Sequence, residues 1–477
     1  MSLITSISGI RGTIGGKPGV SLSPIDIVRF TSAYARLITE QSKESIRTVV
    51  VGRDARLSGE MVRQMVCGTL QACGMDVIDI GLAATPTTQM AVLSLQACGG
   101  IVITASHNPK EWNALKLLNN KGEFLNARQG EEILEIIEKE AFEYVPVEKL
   151  GTYDVLDFTD HHIEAVVNHP LVNKKAIAQA GYSVVVDGIN SVGGIVIPKL
   201  LEALGVACHT IHCEPTGQFA HNPEPLPEHL TDLSQTVVEK KAHLGISVDP
   251  DVDRLALICE DGSPFGEEYT LVACADYVLN FYTKTHPATP LHTVSNLAST
   301  RALKDITLLH KGTYTSSPVG EAHVVAEMKR TGSIIGGEGN GGIILPSLHY
   351  GRDALIGTAL FLSALAEKQV SAGKLRSTYP TYHISKNRAD LPRNSSVQIL
   401  FDIIRAAFPH AVVDERDGLR LDFEEEKQWV SLRTSNTEPI MRVYSEAPTA
   451  AVADALAQKV LTYLKKCIPL QPDKTKD

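Results

Sequence analysis

No run of apolar residues in this chain is long enough to span a bilayer, which argues against a membrane helix. No CxxC pair occurs among its eight cysteines. They sit in apolar surroundings such as Val66-Cys67-Gly68 and Val272-Ala273-Cys274, and read as reduced core thiols. Met1-Ser2-Leu3-Ile4-Thr5 has neither the charged nor the apolar region of a signal peptide, so a cytoplasmic location is expected. Excess positive charge is missing too. Forty-five Lys and Arg face 55 Asp and Glu, a formal net charge of −10. That excludes broad nucleic-acid binding and leaves room for a local basic pocket. What is present is a globular composition, 43% hydrophobic and 21% charged over 477 residues. At roughly 100–200 residues per domain, about three or four domains are expected.

The stretch with most chemistry is Thr104-Ala105-Ser106-His107-Asn108-Pro109. Gly100-Ile101-Val102-Ile103 before it reads as a buried strand, and Asn108-Pro109 stops that strand with a turn. Ser106 is thus placed on a tight loop at a strand's carboxyl end, where open α/β sheets hold ligands. A serine hydroxyl needs a base, a metal or an attached phosphoryl group to react, and by itself the hexapeptide also fits an ordinary Ser/Asn turn. Upstream, Gly9-Ile10-Arg11-Gly12 offers one arginine on a Gly-flanked turn, a phosphate fork or a solvated side chain. Helical spacing over 25–37 and 131–138 alternates with strands at 48–51 and 77–80, predicting a mainly parallel sheet. The stretch 146–158 reads as a linker.

A second unit holds the strand Ser183-Val184-Val185-Val186-Asp187. Its Cys208-His209-Thr210-Ile211-His212-Cys213 looks like a zinc set, but an extended segment sends alternate side chains to opposite faces, so the four do not converge. Asp249-Pro250-Asp251-Val252-Asp253-Arg254 then follows Gly245-Ile246-Ser247-Val248. Three carboxylates at alternate positions after a strand repel unless a cation holds them, and hard oxygen ligands favour Mg²⁺. The glycine and distant glutamate of an EF-hand are missing, and a solvated acidic turn fits poorly between two apolar strands. Further on, Gly336-Gly337-Glu338-Gly339-Asn340-Gly341-Gly342 lets backbone and one carboxylate approach a polyhydroxylated ligand, and it lacks the GxGxxG spacing of a nucleotide loop. Gly351-Arg352-Asp353-Ala354 opens an apolar helix, and a polar stretch around 374–393 marks another boundary. Last, Arg433-Thr434-Ser435-Asn436-Thr437-Glu438-Pro439 supplies a cation and several donors on one turn, either a phosphate cradle or a hairpin turn.

These stretches, in this order, resemble the α-D-phosphohexomutase family over nearly the whole chain. The resemblance implies an α/β fold of four domains around a central cleft. Three are related α/β domains with mixed sheets, 1–152, 153–256 and 257–372. The fourth, 373–468, is an α+β lid, followed by a tail, 469–477. It implies interconversion of hexose 6-phosphate and hexose 1-phosphate through a phosphoserine and a bisphosphate intermediate, with Mg²⁺ as cofactor and a hexose 1,6-bisphosphate as activator. By the same resemblance Ser106 carries the phosphoryl group, and Asp249, Asp251 and Asp253 hold the metal together with Ser106. Arg11, His107, Lys116 and Arg254 assist transfer, Lys116 as acid or base if its pKa is lowered. Glu338 and Asn340 bind the sugar. Arg433, Ser435, Asn436, Thr437 and Arg442 grip the other phosphate.

One departure stands out. Many relatives read Gly-Glu-x-Ser-Gly-His in the sugar loop, whereas Asn340 and Gly342 occupy the serine and histidine positions here. The loops around Arg11 and Glu338 resemble the phosphoglucosamine mutase branch most. Ser435-Asn436-Thr437 is closer to the phosphomannomutase and phosphoglucomutase branch. Glucosamine phosphate is therefore the expected substrate, with mannose or glucose phosphate as the alternative. A metal-dependent sugar phosphatase and a non-catalytic sugar-phosphate sensor are the rival readings. The expected partner is a small sugar phosphate, with no nucleic acid and no membrane, for a monomer or homodimer.

Overall fold

The computed structural model describes residues 3–6, 9–41, 46–391, 396–435 and 439–467. Its first sheet contains β1 (Ile4–Ser6), β2 (Gly9–Thr13), β3 (Thr48–Arg53), β4 (Asp76–Leu82), β5 (Gly99–Ile103), β6 (Trp112–Leu118) and β7 (Tyr153–Val155), in the spatial order β1-β2-β6-β5-β3-β4-β7. The second has β8 (Ser183–Asp187), β9 (Ala207–Ile211), β10 (Leu244–Val248) and β11 (Leu255–Cys259), ordered β11-β10-β8-β9. The third has β12 (His292–Asn296), β13 (Thr313–Ser317), β14 (Ile335–Glu338) and β15 (Gly342–Ile344), ordered β13-β12-β14-β15. The fourth is antiparallel throughout. It runs β16-β20-β19-β18-β17, with β16 (His383–Asp390), β17 (Val412–Asp414), β18 (Leu419–Phe423), β19 (Gln428–Thr434) and β20 (Ile440–Ala447).

One pattern recurs in the first three sheets. Three parallel strands lie in the order second, first, third, and an antiparallel fourth returns beside the third: β4-β3-β5-β6, β9-β8-β10-β11 and β13-β12-β14-β15. Parallel neighbours need crossovers, and helices supply them and cover the sheet faces. The step from third to fourth strand is the exception, a direct turn at the carboxyl end of the parallel strands. The Ser106 loop, the three-aspartate loop and the glycine-rich loop all occupy that step.

Runs such as Val49-Val50-Val51 and Val184-Val185-Val186 are buried throughout, as strands covered on both faces require. The first unit has its own core, in which the Tyr34 hydroxyl bonds the Gly100 and Leu118 carbonyls of adjacent strands. The second and third share one continuous core around the helix Ala354–Lys368, which is buried on nearly every face. The fourth unit has a separate core.

Three expectations need correction. The stretch 146–158 is more than a linker, because β7 pairs parallel with β4 and extends the first sheet. A boundary after 152 leaves that strand on the wrong side. A boundary after 256 cuts β11, whose Leu255–Cys259 completes the second sheet. The first arises because β7 is a short edge strand whose partner, β4, lies far back in the chain. Among the described residues no helix is long and apolar enough to cross a membrane, and seven cysteines are free.

Candidate active site

Ser106 lies where β5 ends, 8% exposed, at φ +50°. A non-glycine residue in the left-handed region is uncommon and must be held there. The grip comes from Arg56, a fully buried side chain in the loop between β3 and the helix Gly59–Ala72. Its guanidinium donates to the carbonyls of Ser106, Asn108 (2.6 Å), Pro109 (2.7 Å) and Trp112 (2.9 Å), and its Nε to Asp54 Oδ2 (3.1 Å). Asp54 in turn accepts the Thr104 hydroxyl at 2.6 Å, and Thr104 Oγ1 accepts the Ser106 N–H. Burial pushes the Asp54 carboxyl up, with Arg56 opposing.

Facing this loop is the turn between β10 and β11. Here Val252 takes φ +62°, an outlier for a β-branched side chain. Asp249 Oδ1 caps its own turn by accepting the N–H groups of Asp253 and Arg254, each at 3.1 Å. Asp249 Oδ2 accepts the Ser106 hydroxyl at 2.8 Å. His107 Nδ1 lies 3.2 Å from Ser106 Oγ. With the hydroxyl proton directed to Asp249, that contact needs Nδ1–H of His107 as donor. Burial, then the Arg254 charge, lowers the His107 imidazole to about 2, so it is neutral.

Asp251 Oδ2 accepts from Thr85 Oγ1 and Lys116 Nζ, both at 2.6 Å, and Asp253 Oδ2 from Lys116 (3.3 Å) and Arg352 (2.7 Å). The other oxygens, Asp251 Oδ1 and Asp253 Oδ1, are buried and have no hydrogen-bond partner. Burying an unpaired carboxylate oxygen is costly. Ligand atoms of the three aspartates converge within 4.8 Å, and all three residues are completely buried. Burial and its two neighbours push Asp249 well above the ordinary carboxylate value. Five carboxylates meet here, Asp249, Asp251, Asp253, Glu321 and Glu338, against three cations, Lys116, Arg254 and Arg352. The orphaned oxygens and the deficit fit a hard divalent cation such as Mg²⁺.

Lys116 does not meet the condition for acid–base work. Burial disfavours its charge, but Asp251 and Asp253 outweigh burial and hold it above the usual lysine value. It is a fixed cation in this arrangement. Arg254 donates to Glu224 Oε1 (3.3 Å), while its buried Nε has no hydrogen-bond partner and lies 4.0 Å from Asp249 Oδ2. Arg11, on β2, also has a buried, unpartnered Nε. Burial, then the charge of Arg442, lowers the Arg11 guanidinium.

In the third unit Glu338 is 5% exposed. Its Oε1 accepts Asn296 Nδ2 (2.8 Å) and Gly320 N–H (3.1 Å), and its Oε2 accepts Arg352 Nη1 (2.9 Å). Asn340 spends its Oδ1 on Gly342 N–H, 3.2 Å away in its own turn. Gly341 lies at φ +80°, and a Cβ there would meet Leu255 O at 2.1 Å, so sugar and metal loops touch through backbone.

In the fourth unit Arg433 and Arg442 stand opposite one another across β19 and β20, and Arg388 opposite Arg442 across β16 and β20. Like charges in register repel, so the stripe calls for an anion. Arg433 Nε is paired with Asp417 at 2.9 Å. Arg433 and Arg442 line a cavity of about 90 Å³ with Val319 and Tyr444. Ser435 follows that strand directly, its N–H donating to Ile440 O at 3.0 Å. Asn436 and Thr437 lie outside the described residues.

Four family profiles match the chain in succession: the phosphoglucomutase/phosphomannomutase alpha/beta/alpha domains I (3–144), II (160–262) and III (267–382) and the C-terminal domain (401–462). A phosphoglucomutase/phosphomannomutase of Thermococcus kodakarensis is 32% identical over 91% of this chain and 94% of its own. The chain belongs to the phosphohexomutase family. A Pyrococcus abyssi protein named "probable phosphoglucosamine mutase" is also 32% identical, covering 88% of this chain and 90% of its own. A crystal structure of a phosphoglucomutase/phosphomannomutase family protein from Burkholderia thailandensis superposes with a TM-score of 0.83 at 26% identity, covering 98% of each chain. Phosphohexomutases are isomerases, and this chain has their four-domain architecture.

Reading the sequence missed the phosphohexomutase residues that act from a distance. Arg56, Thr85 and Glu321 stand in no motif and Arg352 only opens an apolar helix, yet each bonds a residue of the site. Arginines in glycine-bearing loops that open helices are the signal the sequence offers. The cysteine–histidine stretch behaves as expected up to Ile211, where β9 ends. His212 then turns back at φ +49° to share Asp187 with His221, from outside the motif (3.2 and 2.9 Å).

Proposed function

We propose that this phosphohexomutase interconverts hexose 6-phosphate and hexose 1-phosphate through phosphoserine at Ser106 and a bisphosphate intermediate, with glucosamine phosphate as the main substrate. The observation that carries the reading is the meeting of Ser106 Oγ and Asp249 Oδ2 at 2.8 Å beside two orphaned aspartate oxygens. In the first transfer the P–Oγ bond of the phosphoserine breaks as a bond forms from phosphorus to the oxygen of the free sugar hydroxyl, which gives up its proton while the freed Ser106 Oγ takes one up. In the second, the bisphosphate has turned around and returns its other phosphoryl group to Ser106.

Asp249, Asp251 and Asp253, with a phosphoserine oxygen, would hold Mg²⁺, which supplies charge neutralisation and orients the transferring group. Lys116 and Arg254 are fixed cations beside the same point and spread charge away from the phosphoryl group. His107 directs a neutral donor at Oγ. Arg433, Ser435, Asn436, Thr437 and Arg442 grip the distal phosphate, and Arg11, which feels the charge of Arg442, assists transfer. Glu338 presents an oriented carboxylate to sugar hydroxyls, and Asn340 shapes the turn that carries it. Holding both phosphates is what reaction at both ends demands, because the intermediate must reorient without escaping.

The glucosamine assignment follows the loops around Arg11 and Glu338 and the relatives named for that sugar. A phosphoglucomutase/phosphomannomutase of equal identity keeps glucose and mannose phosphates as the second reading. The test is a coupled isomerase assay with Mg²⁺ and trace hexose 1,6-bisphosphate, comparing the three sugar phosphates by kcat/KM. Preference for glucosamine phosphate supports the assignment, and preference for glucose or mannose phosphate moves the branch. Free phosphate released in large excess over isomer refutes the mutase in favour of a phosphatase.

A further inference from the structure

Gly342 carries no side chain, and the space beside it is already filled. A Cβ on Gly342 would lie 2.4 Å from Arg352 Cδ and 3.1 Å from its Cγ. The stem of Arg352 therefore occupies the volume that a residue at 342 would claim. Its guanidinium gives each nitrogen a different carboxylate: Nε to Glu321 Oε2 (2.9 Å), Nη1 to Glu338 Oε2 (2.9 Å) and Nη2 to Asp253 Oδ2 (2.7 Å). These come from the helix Glu321–Thr331, the strand β14 and the metal loop, and none is more than 7% exposed. The backbone on which Arg352 stands is fixed on both sides. Residue 352 bridges to Ile344, and Asp353 caps the helix Ala354–Lys368 while its Oδ2 lies 3.0 and 3.1 Å from His162 and His349 Nε2.

We propose that Gly342 and Arg352 act as one unit, in which the glycine admits the arginine and Arg352 is the positioning residue that ties the sugar loop to the metal loop. The proposal rests on the mutase reading and deepens it. Arg352 fixes Oδ2 of Asp253, which leaves Oδ1 for a cation, and it fixes Oε2 of Glu338 at the sugar loop. It also neutralises Glu321 and Glu338, two buried carboxylates that otherwise face an incoming phosphate. Removing it makes the centre more negative. A dication then binds as well or better, while a sugar phosphate binds and reacts less well. A merely structural lesion weakens both.

The experiment uses Arg352→Gln, Arg352→Ala, Gly342→Ala and the double variant Gly342→Ala/Arg352→Ala in the full chain. Mn²⁺ binding is followed by titration calorimetry, stability by thermal melting, and turnover by kcat and KM. Arg352→Gln should leave Mn²⁺ affinity unchanged or tighter and lower kcat/KM by about 100-fold, the order expected when one partner leaves a buried charge network. Gly342→Ala should cost about tenfold or more in the native background, because the new Cβ displaces the arginine stem, and less than about twofold once Arg352 is alanine. Mn²⁺ affinity that falls in step with the melting temperature, or costs that simply add, would overturn the proposal. If the native protein isomerised no sugar phosphate, the mutase reading would fail by itself. The melting temperatures and Mn²⁺ affinities of the four variants would still test the coupling.

Discussion

Replacing Arg56 with methionine keeps most of the stem volume and removes every guanidinium donor to the serine loop. Four carbonyls lose a partner, of which Pro109 O retains the Trp112 N–H at 3.0 Å. Asp54, completely buried, loses its countercharge and keeps the Thr104 hydroxyl and the N–H of residue 56. Breaking a buried ion pair from one side costs about 3–5 kcal/mol, before any unpaired carbonyl is counted. Whole domains are stable by about 5–15 kcal/mol, so opening of residues 104–112 is the cheaper response. Ser106 then leaves φ +50° and its contact with Asp249. Amide exchange in that loop should accelerate about 100-fold or more, with phosphoryl transfer from hexose bisphosphate to Ser106 falling by a similar factor.

The variant also has a pH signature. In the native protein burial already raises Asp54, and loss of Arg56 raises it further above its unfolded value. The folded state then binds more protons than the unfolded state in the window above the unfolded carboxylate value. Stability therefore falls as pH rises through that window and recovers as pH drops. The deficit of Arg56→Met should be smaller at pH 5 than at pH 8. Arg56→Lys should recover part of it, because an ammonium restores the charge but not the fork. An Arg56→Met protein with native exchange and native phosphorylation rate would refute this account of the loop.

Ser106→Ala should abolish turnover and leave sugar-phosphate binding within a few-fold, and steady-state rates near native would remove the phosphoserine from the mechanism. Asp251→Asn takes a charge from the converging triad. Mn²⁺ affinity should fall by at least about tenfold, read by calorimetry, and chelation should silence the native enzyme reversibly. Gly217→Ala places a Cβ 2.0 Å from Ala55 O at φ +71°, on the loop whose Phe219 stacks 5.1 Å from Arg56. Melting should show a loss of more than about 1 kcal/mol.

The contiguous parts of the site were legible in the sequence. Ser106 and the three aspartates each lie in one turn after a buried strand, so a local pattern names them, and the alternation of strands with helical spacing gives the α/β class. The rest was illegible for physical reasons. Arg56, Glu321 and Arg352 reach the centre from loops and helix starts far apart in the chain, and long side chains carry no record of where their far ends land. β7 is three residues long and all exposed, so neither hydrophobic alternation nor burial could announce it.

The recurring topology explains why residues so far apart meet. In each of the first three sheets the antiparallel fourth strand turns back directly from the third, at the carboxyl end of the parallel strands. Each unit therefore sets one short loop at the same place. One loop presents a serine, one three carboxylates, and one a single glutamate among glycines. Cations then fall between the turns: Lys116 reaches from the first unit to Asp251 and Asp253 of the second, and Arg352 from the third to Asp253. A site assembled this way works only while the units keep their spacing, because each cation serves carboxylates of another unit. Lys116→Met should accordingly weaken the seating of the first unit on the second as well as turnover. Hydrogen exchange rising in both the Thr104–Leu118 and Val248–Arg254 segments would show it, and a rise confined to the first would show that Lys116 serves chemistry alone.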